Sequence, residues 1–520
     1  MFSGTAAAMT GTGTVGDPYV IYDESDLKLV INNMSANYTL NNDIALTEVY
    51  KVPKNTTYNS EIFKGTFDGK NHTISNVTIN NQNPSNGYVI SADYLGFFAK
   101  TEDATIKNNT GTIIGYMNGG VVENVHVYTN TSYTNAVSGT DKVSGLVGSM
   151  STSKVCTISN SSFTGNIQSI GQNTYVGGIV GNVGANSIIK NCTFNGTINS
   201  LMSAGGISGS SSGTIQNCYA DGKINSQVYS GGIVGSMNSG TITRCQSDAL
   251  IIGDYAGGIT GISAGTITDS FSTGSLIAMS GAAGISARVV GGTVKNCYST
   301  SMIYAADCGA GIALGTGTTI ENCLALNEYV TAPEVYRISN LASTDSYSRD
   351  FMTNNGSQVE IKADDPVIGV DDFWDTYDTS NSLWSTWSDS VWTLNTNENF
   401  LLPVLATFGN DVDGDMMFLL DDPSSSPEVI YKTVSGGGSS GSTVTITETV
   451  YVDSGASGSN GAEVVTTITP ENPVTGFGSD LEQTAGFNWW VAVSGVLFAA
   501  LIVAGIYIRK CKEDLNEKGI

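Results

Sequence analysis

Charged side chains are scarce in this chain: Asp, Glu, Lys and Arg together make up 13% of 520 residues. That scarcity, beside abundant Ser, Thr and Asn, makes helix the minority state and favours short strands and turns. Basic residues are scarcer still, 22 Lys and Arg against 47 Asp and Glu, a net charge of −25. Such a balance repels phosphate backbones and anionic membrane surfaces, which sets nucleic-acid binding aside. Histidine occurs twice, and neither His72 nor His126 has a Ser or Cys nucleophile beside it in a motif, so both read as surface or turn residues. Residues 1–14 lack a basic start and an apolar run and are not an intact signal peptide. The small residues Thr5-Ala-Ala-Ala8 read instead as the end of a cleaved or mis-started leader. The 40% of residues that are apolar are not clustered as in a compact α/β enzyme.

What is abundant is glycine, 62 residues, and it recurs in a pattern. The stretch Ser230-Gly-Gly-Ile-Val-Gly235, followed by Gly240-Thr-Ile-Thr-Arg-Cys245, returns with variation six more times between residues 144 and 313. Counted on Gly178, Gly206, Gly232, Gly258, Gly284 and Gly311, the spacings are 28, 26, 26, 26 and 27 residues. A period in the twenties marks a solenoid. The dense Leu ladder of leucine-rich repeats is absent. Each unit instead carries three short β-type runs, which predicts a parallel β-helix with three strands per coil.

Three columns follow from that alignment. Ile189, Ile215, Ile242, Ile267, Val294 and Ile320 put a β-branched residue at one interior point of every coil. Two positions on stand Asn191, Asn217, Arg244, Asp269, Asn296 and Asn322, suited to a repeated bend because Asn tolerates left-handed backbone. Where Asn lapses, Arg244 and Asp269 fall on successive coils about 4.8 Å apart and are expected to form an ion pair. The third column, Cys192, Cys218, Cys245, Ser270, Cys297 and Cys323, matches neither zinc nor Cys-x-x-Cys spacing, and its thiols read as small apolar side chains stacked inside. Disulfides between coils stay open, with no connectivity legible. Lys190 and Lys295 share an outward column with Gln216, Thr243, Thr268 and Glu321, which holds no acidic cluster of the kind sugar hydrolysis uses.

Ahead of the repeats, Leu27, Val30 and Ile31 at helical spacing predict a capping helix over roughly 24–33. The opening Gly11-Thr-Gly-Thr14 and Asp17-Pro-Tyr-Val-Ile21, then Phe63-Lys-Gly-Thr-Phe-Asp-Gly-Lys-Asn-His-Thr-Ile74, then the repeated Gly-Gly-Ile-Val-Gly and Gly-Thr-Ile-x-Asn-Cys, resemble the GLUG-motif family of surface proteins over roughly residues 11–405. That resemblance implies a right-handed parallel β-helix in an adhesin-like protein of bacterial or methanogenic archaeal type, with no catalytic residues to carry over. Beyond the repeats, Trp374, Trp384, Trp387 and Trp392 are expected to cover the open end of the last coil, a sugar-stacking platform being the alternative.

Asp411, Asp413 and Asp415 form an oxygen-rich run whose spacing does not fit an EF-hand; calcium is the one cofactor it suggests, and a solvated acidic linker the simpler reading. Residues 423–486 are Ser-, Gly- and Thr-rich and read as a stalk. Trp489 to Ile508 is 20 uncharged, mostly apolar residues, enough to span a bilayer core of about 30 Å. Arg509, Lys510 and Lys512 follow and assign the tail to the cytoplasm and the body to the outside. Asn33, Asn37, Asn55, Asn71, Asn76, Asn108, Asn130, Asn160, Asn195 and Asn355 begin N-glycosylation triplets, as does Asn191, which the turn column claims.

The expected organisation is an N-terminal extension (1–14), a cap with first strands (15–110), β-helix repeats (111–335), C-terminal coils with a Trp-rich cap (336–410), a stalk (411–486), a transmembrane helix (487–508) and a tail (509–520). The expected function is a single-pass membrane protein without catalysis, presenting a rigid rod to glycans or neighbouring surface proteins. A β-helix polysaccharide lyase or hydrolase and a surface-layer packing subunit are the alternatives.

Overall fold

Short in-register runs of β-branched and small residues build the expected stack. The computed structural model describes residues 9–47, 62–75, 96–111, 114–135, 142–169, 174–317 and 319–361, with short pieces at 367–368, 387, 391–394, 403–405, 444–448 and 464–468. The chain divides into two units, 1–411 and 412–520. The first is an all-β parallel solenoid. In the second, the described residues form an antiparallel pair, Val444–Glu448 with Val464–Ile468. The apolar run 489–508 and Asp411, Asp413 and Asp415 lie outside the described residues. Among the described residues no helix is long and apolar enough to cross a membrane.

A representative coil holds four strands where three were expected: Ser203–Gly205, Ser208–Ser211, Thr214–Gln216 and Tyr219–Ser226. The Gly-Gly-Ile-Val-Gly run is not one strand but two, broken at a corner, and the second glycine of each pair occupies that corner. A Cβ on Gly232 would lie 2.1 Å from the Gly258 carbonyl oxygen of the next coil, and one on Gly206 or Gly258 would lie 2.4 or 1.9 Å from its counterpart. Glycine is required here by the close approach of two backbones, which are joined by Gly206 N–H donating to Gly232 O at 2.9 Å.

The interior column is continuous. Ile158, Ile189, Ile215, Ile242, Ile267, Val294 and Ile320 are partners in register and all but fully buried. Upstream the same column widens to Val122, Ile106, Phe67 and Tyr38, and Phe63, Phe97 and Phe98 pack beside it. The cap is shorter than its periodicity suggested. A helix over Glu24–Lys28, with the Asp23 carboxylate accepting from Ser25 N and Asp26 N, gives way to a 3-10 turn over Val30–Asn33. Leu27 and Val30 are buried, whereas Ile31 is turned to solvent, because the tighter 3-10 winding rotates it off the apolar stripe.

The tryptophans depart from expectation in place. Trp387 and Trp392 lie against the outward faces of Tyr298 and Phe271, with centroids 5.9 Å apart for Trp392 and Tyr298 and 6.3 Å for Trp387 and Tyr298. Coils carrying Leu324 and Tyr347 follow in register, so these two rings form a lateral strap rather than an end plug. Both are buried, which leaves neither as an open stacking platform. Trp374 and Trp384 lie outside the described residues.

Candidate binding surface

The bend between the Ile column and the Cys column is made by one residue per coil held in the left-handed region. Asn160, Asn191, Asn217, Arg244, Asp269, Asn296 and Asn322 all have φ between 49° and 54°, and Asn108 and Asn124 extend the series upstream. Side-chain amides fasten it vertically. Asn191 Nδ2 donates to Asn160 Oδ1 at 2.9 Å, Asn217 Nδ2 to Asn191 Oδ1 at 3.1 Å, and Asn322 Nδ2 to Asn296 Oδ1 at 2.8 Å. The expected ion pair between Arg244 and Asp269 does not form among the described residues. Asp269 Oδ1 instead accepts from Asn296 Nδ2 at 3.0 Å, taking the acceptor role of the Asn it replaces.

The cysteines do more than fill space. Each left-handed residue leaves the preceding carbonyl pointing into the bend. The thiols of Cys192, Cys218, Cys245, Cys297 and Cys323 each donate to the carbonyl two residues earlier, at 3.1–3.4 Å. Ser270 Oγ makes the same bond to Thr268 O at 2.8 Å, and Ser161 and Ser346 repeat it. Ser270 Oγ also accepts from Cys245 N at 3.1 Å. The presence of Ser270 in the Cys column was the available signal: what the position requires is a small donor. No disulfide joins the described cysteines. Burial pushes the thiols of Cys192, Cys218 and Cys297 well up, away from thiolate chemistry.

His126 has partners that no sequence motif announced. Its Nδ1 lies 2.7 Å from Ser162 Oγ, on the next coil, and its Nε2 lies 3.1 Å from Asn124 Oδ1. Asn124 spends its amide N–H on Asn108 Oδ1, so its oxygen must accept from Nε2–H, and Nδ1 is left to accept the Ser162 hydroxyl. Burial lowers the His126 pKa, which favours the neutral ring. The neighbouring backbone donors Val125 N and Thr193 N are committed to Ser161, and the trio fastens adjacent coils. His72 is turned to Asp43 at 3.2 Å.

Among the described residues, no group of His, Cys, Asp or Glu is arranged to hold a metal ion. The outward column Lys190, Gln216, Thr243, Thr268, Lys295 and Glu321 stands in register, with Lys295 Nζ paired to Glu321 Oε1 at 2.7 Å. Of the glycosylation triplets, Asn33, Asn71, Asn160, Asn195 and Asn355 are exposed. Asn37 is half-buried, its side chain donating to Gly13 O and accepting from Thr66 N, and Asn108 donates to Asp68. Asn55 and Asn76 and the side chain of Asn130 lie outside the described residues.

A second surface was not singled out from the sequence. On the strand before the glycine corner, Tyr175, Ser203, Tyr229, Tyr255 and Gly281 form one column. On the strand after it, Ser210, Ser236, Ile262 and Arg288 form another. The columns converge: Tyr229 and Tyr255 stack at 5.7 Å, and the Arg288 guanidinium sits 5.5 Å from the Tyr255 centroid and donates to Tyr229 Oη at 3.3 Å. Arg288 is exposed and the tyrosines are half-buried. Convergence depends on the corner angle, which no single repeat spells out.

Residues 172–199 match the family model described as the GLUG motif. Halomucin of Haloquadratum walsbyi is 31% identical over 178 residues, 30% of this chain and 2% of that protein. The zinc metalloprotease ZmpC of Streptococcus pneumoniae is 31% identical over 159 residues, 30% of this chain and 8% of that protein. The chain thus spans a small fraction of the curated relatives it matches. Among solved structures, a Bacteroides ovatus chain assigned provisionally as an immunoglobulin A1 protease aligns over 76% of this chain and 94% of its own, with 16% identity and a TM-score of 0.31. An IgA1 protease aligns over 67% and 23%, with 14% identity and a TM-score of 0.26. Residues 174–199 of the matched segment form one coil, and the coils on either side repeat its glycine corner in register.

Proposed function

We propose that this chain is the outward-facing body of a cell-surface protein, anchored by a membrane helix at 489–508, which makes multivalent adhesive contacts to glycans and has no catalytic role. The observation that carries the reading is the in-register outward column Lys190, Gln216, Thr243, Thr268, Lys295 and Glu321, which repeats donors and acceptors along a rod at about one coil height, 4.8 Å. Such contacts are individually weak and gain strength from copy number. The Tyr and Arg surface adds apolar and cationic character at one place on the rod.

The test is a glycan array probed with the full chain, paired with a product assay on uronate-containing and neutral polysaccharides. Binding without cleavage is expected. Cleavage would replace this reading with a surface polysaccharide lyase or hydrolase, and silence on every glycan would leave a packing role in a surface layer. Partition of the full chain into membranes, lost when residues 489–508 are deleted, checks the anchor.

A further inference from the structure

We propose that the face formed by Tyr229, Tyr255 and Arg288 binds an acidic glycan, with the sugar against the tyrosine pair and its carboxylate or sulfate on the guanidinium. This rests on the glycan-binding reading above and gives it a ligand class and a place.

Arg288 is an exposed guanidinium in a chain of net charge −25, yet no carboxylate lies within ion-pair distance of it among the described residues. Asp254, the sequence neighbour of Tyr255, is turned to the Ser280 hydroxyl at 2.5 Å instead. The head group is nevertheless held in place, by the Tyr255 ring and by the single bond to Tyr229 Oη. One N–H is spent there, and the rest of the planar fork is left for a ligand. Gly281, which follows Tyr255 in its column, is itself buried. The atoms nearest a Cβ at Gly281 would be side-chain atoms of Leu314 and Tyr255, from 3.4 Å, and the coil carrying Arg288 adds no third ring to the Tyr229 and Tyr255 column.

The surrounding field repels anions, so a free ion gains little at this site. A sugar contributes what a bare ion lacks: C–H surface to lie on the tyrosines and hydroxyls to bond with Tyr229 Oη and Tyr255 Oη. The acid group then meets donors already positioned, where bidentate Arg contacts are strongest.

The experiment measures binding of the full chain to three oligosaccharide probes of equal length: a polyuronate, a sulfated glycan and a neutral glycan. The variants are Arg288→Ala and Arg288→Lys, with far-UV circular dichroism as the folding control; Arg288 is exposed, so both should fold. Tighter binding of an acidic probe than of the neutral one is expected. Arg288→Ala should weaken that probe by about tenfold or more and leave the neutral one unchanged. Arg288→Lys should recover only part, since it keeps charge and loses the fork. The polyuronate and sulfated arms decide which acid group is read. Binding of the neutral probe alone, or acidic binding indifferent to Arg288→Ala, overturns this inference while the adhesive reading stands. No binding to any of the three probes overturns this inference, and silence across the whole glycan array overturns both.

Discussion

Asn296 tests whether the coils are held by the left-handed bend or merely by apolar stacking. Its φ is 52°, Nδ2 donates to Asp269 Oδ1 at 3.0 Å, and Oδ1 accepts from Asn322 Nδ2 at 2.8 Å. Asn296→Ala removes both side-chain bonds, each worth about 1 kcal/mol net at a half-buried site. It also puts an ordinary L side chain in the left-handed region, at about 1–2 kcal/mol. The expected loss is about 3–4 kcal/mol. Asn296→Gly loses the same two bonds but takes the conformation freely, so about 2 kcal/mol is expected. In a regular strand or helix glycine is the worse substitution by about 0.5–1 kcal/mol; here the order inverts. Urea unfolding followed by far-UV circular dichroism reads the total, and hydrogen exchange at the Asn296 and Asn322 amides, which donate to Glu321 O and Thr344 O, reads the local coil. A glycine variant as unstable as the alanine variant would refute the reasoning.

Gly232→Ala should destabilise more than a typical core overpacking change of about 1–3 kcal/mol, because the clash is with the Gly258 backbone, which cannot rotate away; a thermal midpoint unchanged from the parent protein would contradict this. Cys245→Ser, which keeps a donor, should stay close to the parent in urea, whereas Cys245→Val, which leaves Thr243 O with the Asn217 N–H alone, should lose about 0.5–1.5 kcal/mol. In native alkylation followed by mass spectrometry, Cys308 should react ahead of the other described cysteines, being the only one of them that is not fully buried. Two carboxylates should pull stability in opposite senses with pH. Hydrogen bonds from Lys64 and Lys154 hold Glu102 down at about 2, so its contribution is present above the ordinary Glu range and fades as pH falls toward 2; Glu102→Gln removes that slope. Burial raises Asp248, so its folded form favours the proton and its contribution declines as pH rises from the ordinary Asp range through the raised value; Asp248→Asn flattens that limb. Unfolding midpoints across pH 3–7 would show either effect missing.

The coil was legible because it is written six or seven times. Any one copy of Gly-Gly-Ile-Val-Gly is ambiguous, but aligned copies separate the positions that must be β-branched from those that must be small. The left-handed Asn column was readable for the same reason, since Asn is a common non-glycine solution to that backbone. Substituted positions were harder to read. At 244 and 269 opposite charges suggest a pair, whereas the geometry asks each residue only to take the left-handed bend, and Asp269 alone of the two also continues the ladder, toward Asn296. The cysteine column was placed correctly and its bond missed, because hydrophobicity ranks Cys and Ser apart while the bend needs the donor they share.

The sequence by itself determined the period, the stacking of like on like, and the identity of the inward columns, because all of these repeat at a fixed separation along the chain. Only the tertiary structure decided where unlike segments meet. Trp387 and Trp392 lie on coils roughly a hundred residues earlier, His126 finds Ser162 across one coil, and Arg288 reaches back to Tyr229 and Tyr255. These contacts depend on the angle of a glycine corner and the path of a returning segment, and a period encodes neither.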